Sequence, residues 1–318
     1  MWHGGPPRVD TYGRNGMTIG YIGLGTMGGA LAERLLLTHP LLVHDRSEAA
    51  GARLAALGAT PVDIAELAAR SETIMLCLPT SDHVREVLFG EQALADLANP
   101  GTVIVDQTSG DPSATREIAA ALAARDIHLI DAPVSGGPMR AAAGTIAIMV
   151  GAPRERFDAL KALFESISPN VFHVGDIGAG HTIKLVNNLI SGAQRLLTLE
   201  GVALAARNGL EPQVAVRVLA AGGARNAYLD TSLPHVMNGN LDLGFTLALA
   251  HKDVRLACQL GSESGLPMFF GNLTRDYLQL CINENGGEAR VDTAALYVDR
   301  IAGTSIVSPP AADSEEQN

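Results

Sequence analysis

The sequence predicts an α/β domain built on a mostly parallel sheet, followed by an all-helical domain. Three observations carry this expectation. From Met17 to about Val174 short apolar runs alternate with Ala-rich amphipathic stretches. Beyond Gly180 no run has strand character. Several of the 34 glycines fall in spaced groups, which is the habit of turns and not of low-complexity sequence. Short buried strands alternating with helices imply a parallel sheet covered on both faces.

Taken in order, the strands are expected at Thr18–Ile22, Leu41–His44, Thr73–Leu78, Thr102–Val105, His128–Ile130 and Ile146–Val150. Between them, Met27–Leu37, Glu48–Leu57, Asp82–Leu88 and Pro112–Ala124 have helical character. A long periodic segment then runs from His181 to Asn208, interrupted only by Gly192 and Gly201. As a helix it would be roughly 40 Å long. Helices at Pro212–Ala220, Phe245–Ser264, Met268–Asn285 and Asp292–Ala302 complete the second domain. The expected boundaries are a disordered leader over residues 1–16, an α/β domain over 17–179, a helical domain over 180–306 and a disordered tail over 307–318.

Composition narrows the function. A chain of 318 residues with 47% hydrophobic and 18% charged residues has a sizeable core and is not disordered. Aromatics are only 4%, so aliphatic side chains must fill that core. A net charge of −11 argues against a surface that tracks nucleic-acid phosphates. No apolar stretch reaches the roughly 18 residues a membrane helix needs. Cys77, Cys258 and Cys281 are odd in number and lack CxxC spacing, so the expectation is a reduced, cytoplasmic setting with no metal site.

The strand Thr18–Ile22 runs into Gly23, Leu24, Gly25, Thr26, Met27 and Gly28, and then into a helix. GxGxxG between a strand and a helix is a dinucleotide fingerprint. The first glycine makes the turn, the second admits a pyrophosphate, and the third lets helix and strand pack closely. The helix N-terminus adds unpaired N–H groups and a positive dipole end. Asp45 follows Gly23 by 22 residues, where an acid meets the adenine ribose of NAD. Arg46 and Ser47 beside it suit a 2′-phosphate, so NADP stays possible. As a plain alternative, these three residues form a polar turn that caps the next helix.

Two further patterns carry chemistry. Ser135, Gly136 and Gly137 follow a strand and offer one hydroxyl and exposed backbone N–H groups, a nest for a carboxylate. Read alone, a hairpin loop fits these residues as well. Gly175, Gly178 and Gly180 then open the long helix, which carries Lys184 and Asn188 at i and i+4 on one face. A lysine in the first turns is disfavoured by the helix dipole, which suggests a functional reason for it and would lower its pKa.

With these motifs in view the chain resembles the β-hydroxyacid dehydrogenases, the group of 3-hydroxyisobutyrate dehydrogenase and tartronate semialdehyde reductase. Four motifs match in order: GLGTMG at 23–28, DAPVSGG at 131–137, GxGxxxKxxxN at 178–188, and Lys252-Asp253. Gly222-Gly223, Leu229-Asp230 and Gly244-Phe245 look most like the tartronate semialdehyde branch. The resemblance implies a Rossmann-like cofactor domain and a hydride transfer between nicotinamide and a small 3-hydroxy acid. Lys184 matches the catalytic lysine. Ser135, Gly136 and Gly137 match the substrate-carboxylate loop, and Asn188 the substrate-orienting amide. Leu78-Pro79 and Ser109 match cofactor contacts, with Thr108 as the alternative to Ser109, and Lys252 matches a lysine reaching toward the cofactor. It also implies a homodimer or homotetramer with a small carboxylate substrate.

The chain departs from the pattern at Gly110, where an apolar residue is usual, and at His181, where smaller or amide residues are common. Between Ala224 and Tyr228 it lacks a tryptophan found in some relatives, leaving Asn226 or Tyr228 to shape the pocket. The rival readings are an imine reductase, a 6-phosphogluconate dehydrogenase-like reductase and a non-catalytic dinucleotide-binding protein. Imine reductases replace the lysine that is intact here, and only about 130 residues follow Gly180.

Overall fold

The computed structural model describes residues 18–242 and 244–308. The expected leader lies outside them, as does the expected tail from 309 onward. Residues 307 and 308 depart from that expectation. The Val307 amide donates to Asp299 Oδ2 at 3.0 Å and the Ser308 amide to the Met237 carbonyl at 3.0 Å, so the ordered chain continues past 306.

In chain order the first elements are β1 (Ile19–Ile22), α1 (Thr26–Leu36), β2 (Leu41–His44), α2 (Glu48–Ala55), β3 (Thr60–Pro61), α3 (Ile64–Arg70) and β4 (Thr73–Leu76). After them come α4 (Ser81–Phe89), α5 (Leu94–Leu97), β5 (Val103–Asp106), α6 (Pro112–Ala123) and β6 (His128–Asp131). The α/β part closes with β7 (Val134–Ser135), α7 (Gly137–Ala142), β8 (Ala147–Gly151), α8 (Arg154–Ile167) and β9 (Val171–Gly175).

The strands form one sheet in the order β3-β2-β1-β4-β5-β6-β8-β7, with β9 paired to β8. From β3 to β6 all pairs are parallel, whereas β8 runs antiparallel to β6 and β7. Alternation along the strands sorts the core into two layers. Ile19, Tyr21, Met75, Val105 and Ile130 pack on the face covered by α1 and α8. Ile22, Ile74, Leu76, Ile104 and Leu129 pack on the other face with residues of α3, α4 and α6. The apolar positions 157, 160, 163, 164 and 167 give α8 its helical period, so this element was readable from spacing although it was not among those expected.

The helical elements are α9 (Ala179–Arg207), α10 (Pro212–Ala221), α11 (Ala227–Thr231), α12 (Leu233–Met237), α13 (Leu247–Glu263), α14 (Phe269–Asn285), a 3-10 turn (Val291–Thr293) and α15 (Ala294–Ala302). The chain divides into two compact units between Lys184 and Leu185, inside α9 and a few residues past the glycine turn. The second unit has one core, centred on Leu199, Val202, Leu233, Val254, Cys281 and Val298.

Candidate functional site

In the first unit, strand register lines up Ile22, His44, Leu76, Asp106 and Asp131 in one row across the sheet. The loops that leave this row carry Gly23–Gly28, Asp45, Leu78-Pro79 and Ser109. The chain proceeds from β1 outward in one direction to β2 and β3, and in the other to β4, β5 and β6. A crevice at the carboxyl ends of such strands is where open α/β sheets bind ligands.

The glycine turn has a different reason for each glycine. Gly23 sits at φ +92°, and a Cβ there would collide with the Cys77 carbonyl oxygen. A Cβ on Gly28 would collide with the Gly23 carbonyl oxygen. At Gly25, the N-cap of α1, a Cβ would meet no protein atom within 4 Å, and no side chain caps the helix. The open space over Gly25 and the uncapped N–H groups of α1 fit a pyrophosphate.

Asp45 is fixed at the end of β2. Its Oδ2 accepts the Leu24 amide at 2.6 Å and its Oδ1 the Ser47 amide at 2.7 Å. The Ser47 hydroxyl caps α2 by accepting the Ala50 amide at 3.4 Å, and Arg46 is exposed. The Ser47 hydroxyl thus caps α2 as the plain alternative expects, while the Asp45 carboxylate is held at the end of β2 by two backbone amides. A cavity of about 500 Å³ opens here, lined by Leu24, Gly25, Thr26, Asp45, Ser47 and Arg53 among others. Arg53 closes one side, donating to the Leu24 carbonyl at 3.2 Å and pairing with Glu33 at 3.4 Å.

Beyond β4, which ends two residues earlier than expected, the Leu78 amide donates to Thr108 Oγ1 at 3.1 Å. Thr108 is buried, while Ser109 is half-buried. Burial therefore separates the two alternatives, leaving Ser109 the more accessible. Burial, with Asp106 nearby, pushes the Cys77 thiol up to about 12, which removes it from nucleophilic chemistry.

The segment after β6 corrects the hairpin reading. Ser135 ends β7, opposite Ala147 of β8, and Gly136 and Gly137 turn the chain directly into α7. Both glycines hold positive φ, +137° and +77°. A Cβ on Gly137 would meet nothing within 4 Å, so its backbone faces open space.

Lys184, half-buried, is the last residue of the first unit. The start of its helix is occupied by a residue given no role from the sequence. The Asp131 carboxylate accepts the Gly178 amide at 2.7 Å and the His181 amide at 2.8 Å. Burial raises the pKa of this carboxyl, opposed by His181 and by the two amides. The positive end of α9 thus faces a carboxylate before it can act on the lysine, so the dipole is a weaker lever on Lys184 than its sequence position suggests.

In the second unit, Asp253 links two expected residues. Asn188 Nδ2 donates to its Oδ2 at 2.5 Å, and Lys252 Nζ lies 3.1 Å from its Oδ1. Asp253 is buried, so the pair is shielded from solvent. Its signal in the sequence was the Lys-Asp dipeptide itself. Asn226 and Tyr228 do not match the pocket reading. Asn226 caps α11, accepting the Tyr228 and Leu229 amides, and Tyr228 is buried beneath the Arg195 guanidinium at 5.0 Å.

Among the described residues no cluster of His, Cys, Asp or Glu is arranged to hold a metal ion, and no helix is long and apolar enough to cross a membrane.

Two family models match the chain. The NAD-binding domain of 6-phosphogluconate dehydrogenase matches residues 18–175, and the NAD-binding domain of NADP-dependent 3-hydroxyisobutyrate dehydrogenase matches residues 178–298. A 2-(hydroxymethyl)glutarate dehydrogenase of Eubacterium barkeri is 36% identical, over 79% of this chain and 84% of its own. An NAD-dependent L-serine dehydrogenase of Pseudomonas aeruginosa is 33% identical, over 85% of this chain and 94% of its own. Among solved structures, Mycobacterium tuberculosis 3-hydroxyisobutyrate dehydrogenase with L-serine superposes with a TM-score of 0.80 at 25% identity, covering 89% of this chain and 99% of that one.

Proposed function

We infer the reaction from the premise that this chain belongs to the β-hydroxyacid dehydrogenase family and is an NAD(P)-dependent oxidoreductase acting on CH–OH groups. Our proposal is hydride transfer between the nicotinamide and a small 3-hydroxy acid of the 3-hydroxyisobutyrate or tartronate semialdehyde type. The observation that carries it is the turn at Gly23–Gly28, open at Gly25 and facing a carboxylate at Asp45 held by two backbone amides.

When bound, the nicotinamide accepts or supplies the hydride. The chain's residues bind, orient and move the proton. Backbone N–H groups of Gly23–Gly28 receive the pyrophosphate, and Asp45 receives the ribose hydroxyls. Leu78, Pro79 and Ser109 border the nicotinamide half, and Lys252 is a further cofactor contact. The Ser135 hydroxyl and the Gly136 and Gly137 amides hold the substrate carboxylate, and Asn188 orients the substrate. Lys184 accepts the hydroxyl proton during oxidation and returns it to the carbonyl oxygen during reduction. The intact lysine favours this reading over an imine reductase.

Asp45 also bears on cofactor choice. With both oxygens held, it cannot turn away from the ribose, and its charge repels a 2′-phosphate of about −1.5 to −2. We therefore favour NAD over NADP. The setting is cytoplasmic in this reading. The chain forms a homodimer or homotetramer through α9, where Ile190, Leu197 and Leu204 recur every seven residues and are 50%, 70% and 67% exposed. Gly201 lies open beside them, whereas a Cβ on Gly192 would stand 3.6 Å from the Thr274 and Val254 methyl groups of its own unit.

The test is turnover of small 2- and 3-hydroxy acids with NAD and NADP, followed by nicotinamide absorbance. A preferred 3-hydroxy acid whose methyl ester is a poor substrate is the expected result. Equal turnover of acid and ester would remove the carboxylate clamp from this account.

A further inference from the structure

We propose that His181 is a positioning residue for Lys184, held in a single tautomer and locking the first turn of α9 against the loop that follows β5. The proposal rests on the reading of Lys184 as the proton carrier. His181 precedes Lys184 by three residues, and its side chain is fully buried.

The tautomer follows from counting protons. His181 Nδ1 lies 2.6 Å from Thr115 Oγ1. The single hydroxyl proton of Thr115 is already committed to the Asp111 carbonyl at 2.8 Å. With that donation kept, Thr115 presents a lone pair toward the ring, and we assign the proton between them to Nδ1. Nε2 points to Asp106 Oδ2 at 3.9 Å and has no hydrogen-bond partner among the described residues. The backbone N–H of the same residue donates to Asp131. One residue of α9 is thus anchored to α6 through Thr115 and to β6 through Asp131, with its ring turned to the end of β5.

Gly110 completes the arrangement. A Cβ at this position would stand 2.8 Å from His181 Cε1, 2.9 Å from Ser81 Oγ and 3.0 Å from His181 Nδ1. The ring occupies the volume that an apolar side chain at 110 would need. Gly110 adjoins Ser109, so the ring bridges the loop assigned to the nicotinamide and the helix that carries the lysine. The Lys184 stem is long and flexible, and fixing its Cα is the part of its placement the fold controls. Misplacement of a reacting group by about 1 Å can cost on the order of 10²-fold in rate.

The experiment has a spectroscopic arm and a kinetic arm. The ¹⁵N imidazole spectrum of the full-length protein should show His181 protonated at Nδ1, and an unprotonated Nδ1 would overturn the proposal. His181→Ala should lower kcat by about tenfold or more, while KM for the acid and cofactor affinity stay within about twofold. His181→Asn places an amide N–H where Nδ1 stood and should recover most of the loss. No recovery with Asn, or a kcat loss matched by a KM rise, would overturn positioning. Should His181→Ala fail to fold, Gly110→Ala pushes a Cβ into the ring and should slow turnover. Adding His181→Asn makes room and should relieve that loss, whereas additive losses would overturn the proposed contact. Lys184→Ala separates this proposal from the reading beneath it. If Lys184→Ala retains turnover, the lysine reading fails and positioning fails with it, whatever the tautomer; if Lys184→Ala is inactive and His181→Ala runs at full rate, only positioning fails.

Discussion

Two glycine turns of the first unit, at the starts of α1 and α9, use the helix start in opposite ways. At Gly23–Gly28 the N-terminus of α1 has no side-chain cap, no acid in its first turn and open space over Gly25. At Gly178–Gly180 the N-terminus of α9 is filled from within, by the buried carboxylate of Asp131. There the glycines serve packing. A Cβ on Gly180 would stand 2.5 Å from the Met149 carbonyl oxygen, and one on Gly151 2.5 Å from Asp131 Oδ1. One turn leaves its dipole for an external anion, while the other spends it on an internal one and so fixes the helix that bears Lys184. Similar glycine spacing thus predicts a turn, and what occupies the helix start decides whether it binds a ligand.

The largest effect expected from this contrast is at the payload of the second turn. Lys184→Ala should lower kcat by about 10²–10⁴-fold while cofactor affinity, which we assign to the first turn, is retained. Steady-state kinetics alongside a cofactor titration measure both. Loss of cofactor binding in this variant would blur the division between the turns.

Paired glycine substitutions sharpen it. Gly25→Ala should weaken cofactor binding by about tenfold or more, because its methyl group enters the phosphate space. Its stability cost should be about 1 kcal/mol or less, the usual difference between Gly and Ala at an N-cap. Gly180→Ala should instead lower stability by about 1–3 kcal/mol through overpacking. Melting temperatures and calorimetric cofactor affinities separate the two. Equal loss of affinity in both variants would break the comparison.

Asp45→Ala should shift the kcat/KM ratio toward NADP severalfold by removing charge repulsion at the ribose. A wild type that prefers NADP more than tenfold, with a ratio unchanged by the substitution, would assign the site to Arg46 and Ser47.

The smallest effect is a slope. Burial raises the pKa of Asp131 above its ordinary value of 3.8. The folded state then holds that proton more tightly than the unfolded chain does. Stability from this group is complete below about 3.8 and declines as pH rises through the raised value. Asp131→Asn does not titrate, so the melting advantage of wild type over the variant should shrink as pH rises above the ordinary value of 3.8. An advantage that grows with pH would mean that the two amides outweigh desolvation.

Much of the cofactor half was legible along the chain. Strand, glycine turn, helix and an acid 22 residues on are local in sequence, and each has a periodicity or spacing that chemistry imposes. The same holds for Lys184 and Asn188 as a pair one helical turn apart. Short pieces such as β7, α7, α11 and α12 were not read, because two to six residues contain too little period to distinguish strand or helix from loop. The hairpin alternative at Ser135–Gly137 gave way to a strand-to-helix turn for that reason.

The sequence by itself determined the fold class, the order of the main strands and helices, and the glycine turn after β1. Tertiary structure alone decided that Asp131 caps α9 from 47 and 50 residues away, that His181 bonds Thr115 across 66 residues, and that Asp253 holds Asn188 across 65. The physical reason is the range of the interactions. Hydrophobic periodicity and turn chemistry act within a few residues and leave a pattern in the chain. A buried hydrogen bond is made by whichever groups the packed sheet and helices bring together, because in the interior each must find a partner, and no spacing records which one.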